Sequence, residues 1–123
     1  MRESAENYLE TIFVLGKGEK NVRAVDVANE LGFSKPSVSV AMKNLREKGL
    51  AQIDGAGYIT LTEDGAKIAK SMYERHTFIS DWLISLGVGK EVALSDACKI
   101  EHVMSEESFH AIKEHIQNNH PFR

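Results

Sequence analysis

Three side chains that can bind a metal ion lie within five residues near the C-terminal end of the chain. The segment DACKIEHVM contains a thiol at Cys98, a carboxylate at Glu101 and an imidazole at His102. Residues three and four positions apart lie on one face of a helix, so a helix here would gather the three groups into one patch. Because this donor set suits a first-row transition ion better than calcium or magnesium, the spacing indicates a transition-metal site.

Other interpretations of the same segment remain open. A single cysteine is most often a small buried hydrophobic residue, and a Glu–His pair on a helix often faces solvent. Cys98 could also act as a nucleophile with His102 as its base, because four-residue spacing brings the two side chains close. The sequence offers no orienting third group, oxyanion loop or Gly-rich phosphate cradle for such a reaction. We therefore expect that the protein is not an enzyme.

Length and composition limit the class of protein further. The chain has 123 residues and 42% hydrophobic content, which allows one globular domain or two small ones. No run approaches the roughly 18 apolar residues of a membrane span, and the N-terminal stretch MRESAENYLE is too polar for a signal peptide. A single cysteine cannot form an internal disulfide, which fits a reducing compartment. We expect a cytoplasmic protein with neither a membrane partner nor a small-molecule substrate.

Charge is distributed unevenly along the chain, although the formal net charge is only −3. Residues 17–48 contain seven Lys or Arg against four Asp or Glu, whereas residues 76–123 contain four against seven. A basic segment of this kind is typical of a nucleic-acid contact. The basic first half and the acidic second half therefore suggest two different functions.

Helical periodicity predicts three helices in the first half. The first covers residues 3–16, the second lies within residues 22–32 with Val25, Ala28 and Leu31 inward, and Ser34 caps the third. Two helices joined by a tight turn at residues 31–33 form a helix-turn-helix. Along the third helix, Val38, Met42 and Leu45 form the predicted inward stripe.

The outward face of the third helix is small and polar at its start and basic further along, as a helix in a DNA major groove requires. Serines can donate to phosphates or bases, lysine and arginine can contact phosphates, and Pro36 and Val40 can contact thymine methyl groups. The alternative is an ordinary solvated helix face. The candidate DNA-binding residues are Ser34, Lys35, Pro36, Ser37, Ser39, Val40, Lys43 and Arg46.

A β-hairpin and three further helices are predicted after residue 50. Apolar residues flank the turn sequence DGAG at residues 54–57, which is typical of a hairpin and, at this position, of a wing. Thr62 then caps a long helix that ends near residue 86. Two short helices follow, and because they cannot bury their apolar faces alone, we expect them to pack on the long helix and on a second subunit. The apolar positions of the three helices are Ile68, Met72, Ile79, Leu83 and Leu86; Val92, Ile100 and Val103; and Phe109, Ile112 and Ile116.

These elements predict a mainly α fold, an N-terminal winged helix-turn-helix with a two-stranded β wing followed by an all-α dimerisation domain. We place the DNA-binding domain at residues 1–70 and the helical metal-binding and dimerisation domain at residues 71–123. The long helix, about residues 62–86, links the two. The last residues, NNHPFR, are expected to form a frayed tail.

Four motifs, whose order and spacing along the chain match the family, resemble the diphtheria toxin repressor family of metal-activated transcription factors, which includes manganese transport regulators. They are DACKIEHVMSEE, ENYLETIFVL, SKPSVS and the Arg75–His76 pair. The resemblance implies a homodimer that binds a palindromic operator in double-stranded DNA when a divalent ion, Fe²⁺ or Mn²⁺, is bound. Co²⁺, Zn²⁺ and Ni²⁺ are possible substitutes in vitro. A metal-independent winged-helix regulator is the alternative function.

The resemblance also implies the metal ligands. Asn7 stands where the iron branch has Met and the manganese branch has Asp, and Cys98 is the iron-branch choice where the manganese branch has Glu. Ser80 and Leu94 replace a Glu and a His of the iron branch's ancillary site. The histidines outside the motif, His110, His115 and His120, are expected at the surface. The implied ligands are Asn7, Glu10, His76, Cys98, Glu101 and His102.

Overall fold

A computed structural model describes residues 2–119, with side chains for residues 5–118. Within this part the predicted mainly helical fold with a two-stranded antiparallel sheet is confirmed. The chain divides into two compact units, residues 1–71 and 72–123. Among the residues described, no helix combines the length and apolar character needed to cross a membrane. The elements are α1 (Arg2–Leu15), α2 (Ala24–Leu31), α3 (Lys35–Glu47), β1 (Ala51–Ile53), β2 (Ile59–Leu61), α4 (Glu63–Ser85), α5 (Lys90–Val103) and α6 (Glu106–Asn119).

The first unit is built around one hydrophobic core between α1, α2, α3 and the wing. The inward stripe predicted for α3 is confirmed, since Val38, Met42 and Leu45 are all buried. The prediction for α2 was wrong at Val25, which is exposed, whereas Val27 is buried. The buried face of α2 includes Ala24, because residues 24, 27, 28 and 31 share the i, i+3, i+4, i+7 spacing of one helix face.

The helix-turn-helix is fixed by the local chemistry that the sequence predicts. Gly32 ends α2 in the left-handed region at φ 70°, where a side chain would be strained. Ser34 then caps α3, its hydroxyl oxygen accepting the backbone N–H of Ser37 at 3.3 Å. The turn and the cap together set where α3 begins.

Removal of this cap gives a first testable expectation. Ser34→Ala should lower the free energy of unfolding by about 1 kcal/mol, because an N–H of the first turn of α3 loses its acceptor. Urea unfolding followed by circular dichroism measures the change. Ser39→Ala, an exposed serine on the same helix, is the matched control. Equal stability of the two variants would show that the cap contributes nothing.

The predicted wing is a two-stranded antiparallel hairpin in which Ala51 pairs with Leu61 and Ile53 with Ile59. Asp54 Oδ1 closes the turn by accepting the N–H groups of Ala56 and Tyr58, both at 2.9 Å. The hairpin is also tied to the chain before α2, since the Ile59 N–H donates to the Val22 carbonyl at 2.7 Å. The wing is therefore held firmly beside the helix-turn-helix.

The start of α4 is anchored on the segment that leads into the wing. The Thr62 hydroxyl accepts the Gly65 N–H at 3.1 Å and donates to the Gly49 carbonyl at 2.7 Å, so the predicted cap is present. At Gly65 the helix backbone comes so close that an added Cβ would lie 2.0 Å from the Leu50 carbonyl oxygen. Only glycine fits at this position.

The second unit is a helical cluster formed by the C-terminal part of α4 with α5 and α6. Phe78 of α4 meets Phe109 of α6 edge to face, with ring centroids 5.7 Å apart. The inward positions predicted for α6 are confirmed at Phe109 and Ile116, which are buried. Ile112 packs against the same core and is only partly buried.

Three apolar positions predicted in this half are exposed in the part of the chain that the structure describes. Leu86 is exposed because α4 ends at Ser85 and the chain turns at Gly87, where φ is 101°. Val92 is also exposed and Val103 is 74% exposed, so the described residues bury neither, and the expected packing of this helix on a second subunit stays a prediction. Instead, α5 buries small residues and one carboxylate at four-residue spacing, namely Ala93, Ala97 and Glu101.

Candidate metal centre

The candidate metal ligands of α5 lie together, as their helical spacing requires. One ligand atom from each of Cys98, Glu101 and His102 lies within 4.8 Å of the others. Their burial is graded, since Cys98 is exposed, His102 is partly buried and Glu101 is completely buried. The carboxylate therefore forms the inner side of the cluster, and the thiol forms the side that faces solvent.

His76 of α4 contacts the same carboxylate. Its Nδ1 lies 2.9 Å from Glu101 Oε1, and its side chain is 24% exposed. Whichever tautomer it adopts, a contact at Nδ1 leaves Nε2 as the ring atom for any other partner. A histidine held through one ring nitrogen by a carboxylate is a common arrangement around protein-bound metals.

The environment of Glu101 is the strongest physical indication of a bound cation. Its side chain is 0% exposed, and Oε2 is buried without a hydrogen-bond partner among the described residues. Burying a carboxylate is costly unless it is paired. Glu101 also lies in the last turn of α5, where the helix dipole disfavours negative charge. A divalent ion beside Oε2 would offset both costs, so the residues present fit such an ion.

The four remaining residues named from the resemblance differ in their burial. Asn7 and Glu10 are half-buried on α1 in the first unit, three residues apart on one helix face. In the second unit, Ser80 is buried and donates to the Thr77 carbonyl at 3.1 Å. Leu94 has no ligand atom and is exposed.

The histidines outside the motif are placed as far as the structure describes them. His110 and His115 are exposed, as predicted. His110 Nε2 lies 3.6 Å from the Glu114 carboxylate one turn further along α6. The predicted frayed tail was wrong at Asn118 and Asn119, which belong to α6. His120 and the three residues after it lie outside the described part.

The candidate DNA-binding face of the first unit is open to solvent. The residues predicted to contact DNA are all exposed on α3 or at its cap: Ser34, Lys35, Pro36, Ser37, Ser39, Val40, Lys43 and Arg46. Val40 stands out because it is 60% exposed in the middle of an otherwise polar face. Packing within the unit gives no reason for an apolar residue there.

One residue close to the cluster was not identified from the sequence as part of the site. Arg75 appeared only as half of a motif, yet its guanidinium contacts the main chain of Glu101 at 2.9 Å. In the sequence, only its position directly before His76 indicated a role. A contact with a backbone carbonyl cannot be predicted from residue types, because every residue has such a carbonyl.

Comparison with known families covers both units. Residues 1–58 match the family model described as "Iron dependent repressor, N-terminal DNA binding domain". Residues 62–120 match "Iron dependent repressor, metal binding and dimerisation domain". Together the two models account for most of the chain.

Individual relatives point to the same group. The transcriptional regulator MntR of Escherichia coli O157:H7 is 37% identical over 112 residues, which is 91% of this chain and 72% of the relative. The iron-dependent repressor IdeR of Mycobacterium tuberculosis strain H37Rv is 30% identical over 106 residues, covering 85% of this chain and 46% of the relative.

Solved structures share the fold. A manganese-dependent transcriptional repressor in complex with manganese aligns with TM-score 0.83 and 26% identity over 91% of this chain and 52% of its own. The metal-dependent transcriptional regulator MtsR aligns with TM-score 0.84 and 25% identity over 95% of this chain and 55% of its own. The chain thus spans about half the length of these solved relatives.

Proposed function

Because this chain belongs to the iron dependent repressor family, we propose that it is a metal-activated regulator that binds a palindromic DNA operator as a homodimer. This membership confirms the resemblance to the diphtheria toxin repressor family, whose members are DNA-binding regulators rather than enzymes. The observation that carries the proposal is the buried Glu101 carboxylate, whose Oε2 lacks a hydrogen-bond partner among the described residues. We further propose that it acts in the cytoplasm as a repressor of metal-uptake genes.

We assign the ion to the cluster around Glu101. Cys98, Glu101 and His102 of α5 and His76 of α4 would hold it, and Glu10 and Asn7 of α1 would complete the set. When bound, the ion would neutralise the anionic side chains and keep ligands of three helices together. Asn7 would offer a neutral oxygen, either its side-chain amide or its backbone carbonyl.

The donors favour some transition ions over others, and the relatives support the choice of ion. A thiolate such as Cys98 favours iron, cobalt or zinc over manganese, whereas carboxylate and imidazole accept all of them. Fe²⁺ or Mn²⁺ is proposed as the physiological ion, in line with relatives whose names specify iron and manganese. Co²⁺, Zn²⁺ and Ni²⁺ would bind in vitro.

The DNA side of the proposal rests on the exposed face of α3. Lys35, Lys43 and Arg46 would contact phosphates, which makes affinity fall with salt concentration. The hydroxyls of the three serines at residues 34, 37 and 39 would donate to phosphates or base edges. In a homodimer, two such helices must lie about one DNA turn apart, roughly 34 Å, to occupy successive major grooves.

The link between ion and DNA is electrostatic. Without a cation, the carboxylates of Glu10 and Glu101 and the Cys98 sulfur would repel one another when brought together. The ligand-bearing helices are then free to separate, and the recognition helices have no fixed spacing. Pairing of these groups with a cation favours the arrangement that binds DNA, by a coupling free energy typically of 1–3 kcal/mol.

The proposal is tested by anaerobic binding of the chelator-stripped chain to its own promoter DNA, with Fe²⁺, Mn²⁺, Co²⁺ and Zn²⁺ titrated separately. Wild type and Cys98→Ala are compared. Tightening by one ion, lost in Cys98→Ala, supports the cluster as the sensor. If the response to Mn²⁺ persists in Cys98→Ala, the residues that sense the ion are instead Glu10, His76, Glu101 and His102. DNA binding that no ion changes would establish the metal-independent regulator instead.

Val40 provides a specific expectation about base recognition. An exposed valine in the major groove has one apolar target, the C5-methyl group of thymine. Replacing the contacted thymine by deoxyuridine, which removes only that methyl group, should weaken wild-type binding about 3- to 10-fold and leave Val40→Ala unaffected. Fluorescence anisotropy with a series of singly substituted operators measures this. Equal losses in both proteins at every position would exclude a Val40–methyl contact.

A further inference from the structure

Arg75 of α4 is almost completely buried and is hydrogen-bonded to the end of α5. Its side chain is 4% exposed, and Nη1 donates to the carbonyl oxygens of Glu101 at 2.9 Å and Met104 at 2.6 Å. The last carbonyls of a helix have no partner within the helix. These bonds therefore give a donor to two such carbonyls, the one at Glu101 buried and the one at Met104 partly buried. Arg75 therefore fixes the position at which α5 ends.

The same guanidinium also meets the start of α6. Its central carbon lies 5.1 Å from the centroid of the Phe109 ring, and Nη2 lies 3.6 Å from the Glu106 carboxylate. The Glu106 side chain is 77% exposed, so water screens this ion pair and it contributes little. The buried carbonyl bonds and the aromatic contact are the interactions that hold Arg75 in place.

Neighbouring residues of α4 thus hold one residue of α5 at two points. Arg75 binds the main-chain carbonyl of Glu101, and His76 contacts its carboxylate at 2.9 Å. The backbone of Glu101 cannot shift relative to α4 unless the Arg75 bonds break. Because His102 follows Glu101 directly, the same bonds also set the place of its imidazole.

We propose that Arg75 is a positioning residue of the metal centre. It holds the last turn of α5 so that the ligand atoms of Glu101 and His102 stay together and the Glu101 carboxylate stays against His76. The inference rests on the proposed metal site and adds a residue that has no ligand atom of its own. Groups that orient ligands without touching the metal typically change its affinity 10- to 100-fold.

Arg75→Met and Arg75→Lys separate this role from a general effect on folding. Methionine fills similar space but has no donor, whereas the lysine ammonium ends about one bond short of Nη1 and reaches the carbonyls imperfectly. Lys113→Met is the matched control. Its ammonium lies 3.1 Å from the Glu74 carboxylate, so its ion pair joins α6 to α4 and does not involve α5.

Co²⁺ serves as the probe, because its absorption spectrum reports the number, type and geometry of its ligands. Affinity is measured by competition with a chelator, and the spectrum is recorded at saturating Co²⁺ on protein shown to be folded by circular dichroism. Co²⁺ should bind Arg75→Met 10- to 100-fold more weakly and Arg75→Lys to an intermediate degree. Both spectra should change at saturation, whereas Lys113→Met should match wild type in affinity and spectrum.

The outcomes are distinct. If Arg75→Met and Arg75→Lys match wild type in both affinity and saturated spectrum, the positioning role is wrong while the metal site stands. If the Co²⁺ spectrum and affinity stay constant and only the free energy of unfolding falls, Arg75 has a structural role, and the inference is also overturned. If Arg75→Met does not fold, Arg75→Lys decides by the same two readouts. Failure of wild type to bind Co²⁺ would overturn the proposed function itself.

Discussion

Glu101→Gln should reduce affinity for the activating ion roughly 100-fold or more and abolish ion-dependent DNA binding at micromolar ion. Glu101 is the one ligand candidate that is completely buried, and its carboxylate lies within reach of Cys98, His102 and His76. Glutamine keeps the shape of the side chain but removes the negative charge. Loss of an orienting partner alone costs 10- to 100-fold in metal affinity, so loss of a direct ligand should cost at least as much.

The same substitution should make the metal-free protein more stable. Oε2 of Glu101 is buried without a hydrogen-bond partner among the described residues, and an unsatisfied buried charge costs more than a buried amide. We expect a gain of about 1 kcal/mol in the free energy of unfolding without metal. Function and stability therefore move in opposite directions, which is typical of a residue kept for ligand binding rather than for folding.

Two measurements check this prediction. Isothermal titration with Mn²⁺ and, anaerobically, Fe²⁺ gives the affinity, and urea unfolding in the presence of chelator gives the stability. Asp96→Asn is the matched control, because Asp96 is an exposed carboxylate on the same helix. Wild-type ion affinity in Glu101→Gln would remove the carboxylate from the ligand set and with it the physical argument for the site.

Gly65→Ala should destabilise the first unit by about 3 kcal/mol or more, at the upper end of the cost of overpacking. The new Cβ would lie 2.0 Å from the Leu50 carbonyl oxygen and 2.9 Å from its carbon. Both partners are backbone atoms, so no side-chain rotation relieves the clash. The start of α4 must move away from the segment that enters the wing, which breaks the Thr62 hydrogen bonds there.

Urea unfolding monitored by circular dichroism measures the loss. Gly55→Ala is the control, because Gly55 lies in the wing turn and an added Cβ there meets no atom within 4 Å. It should change stability by no more than about 0.5 kcal/mol. Wild-type stability in Gly65→Ala would mean that α4 does not approach Leu50 as closely as described.

The sequence predicts the elements well where one local rule decides. Ser34 and Thr62 are capping residues at the helix starts they were expected to mark, and the DGAG turn closes the wing. The spacing of Cys98, Glu101 and His102 was also enough to predict that their donor atoms lie close together. These features depend on residues within four positions of one another, which is the range over which periodicity and capping act.

Features that depend on distant parts of the chain were not predictable. The inward face of α5 is the one that carries Ala93 and Ala97, because their small size allows close packing. The larger Val92 and Val103 had indicated a different face, and both are exposed. The burial of Glu101 below an exposed Cys98 depends on α4, which comes from earlier in the chain. Gly65 has no signal in the sequence, because the clash involves a carbonyl fifteen residues away.

The central claim is that ion binding and DNA binding are coupled, and thermodynamic reciprocity tests it most directly. Isothermal titration of the metal-free chain with Mn²⁺ and, anaerobically, with Fe²⁺ should be done with and without its promoter DNA. For at least one of the two ions, the affinity should rise when DNA is present, by the same factor by which that ion raises the DNA affinity, about 5- to 150-fold. Equal affinities with and without DNA, for both ions, would show that the ion does not control DNA binding.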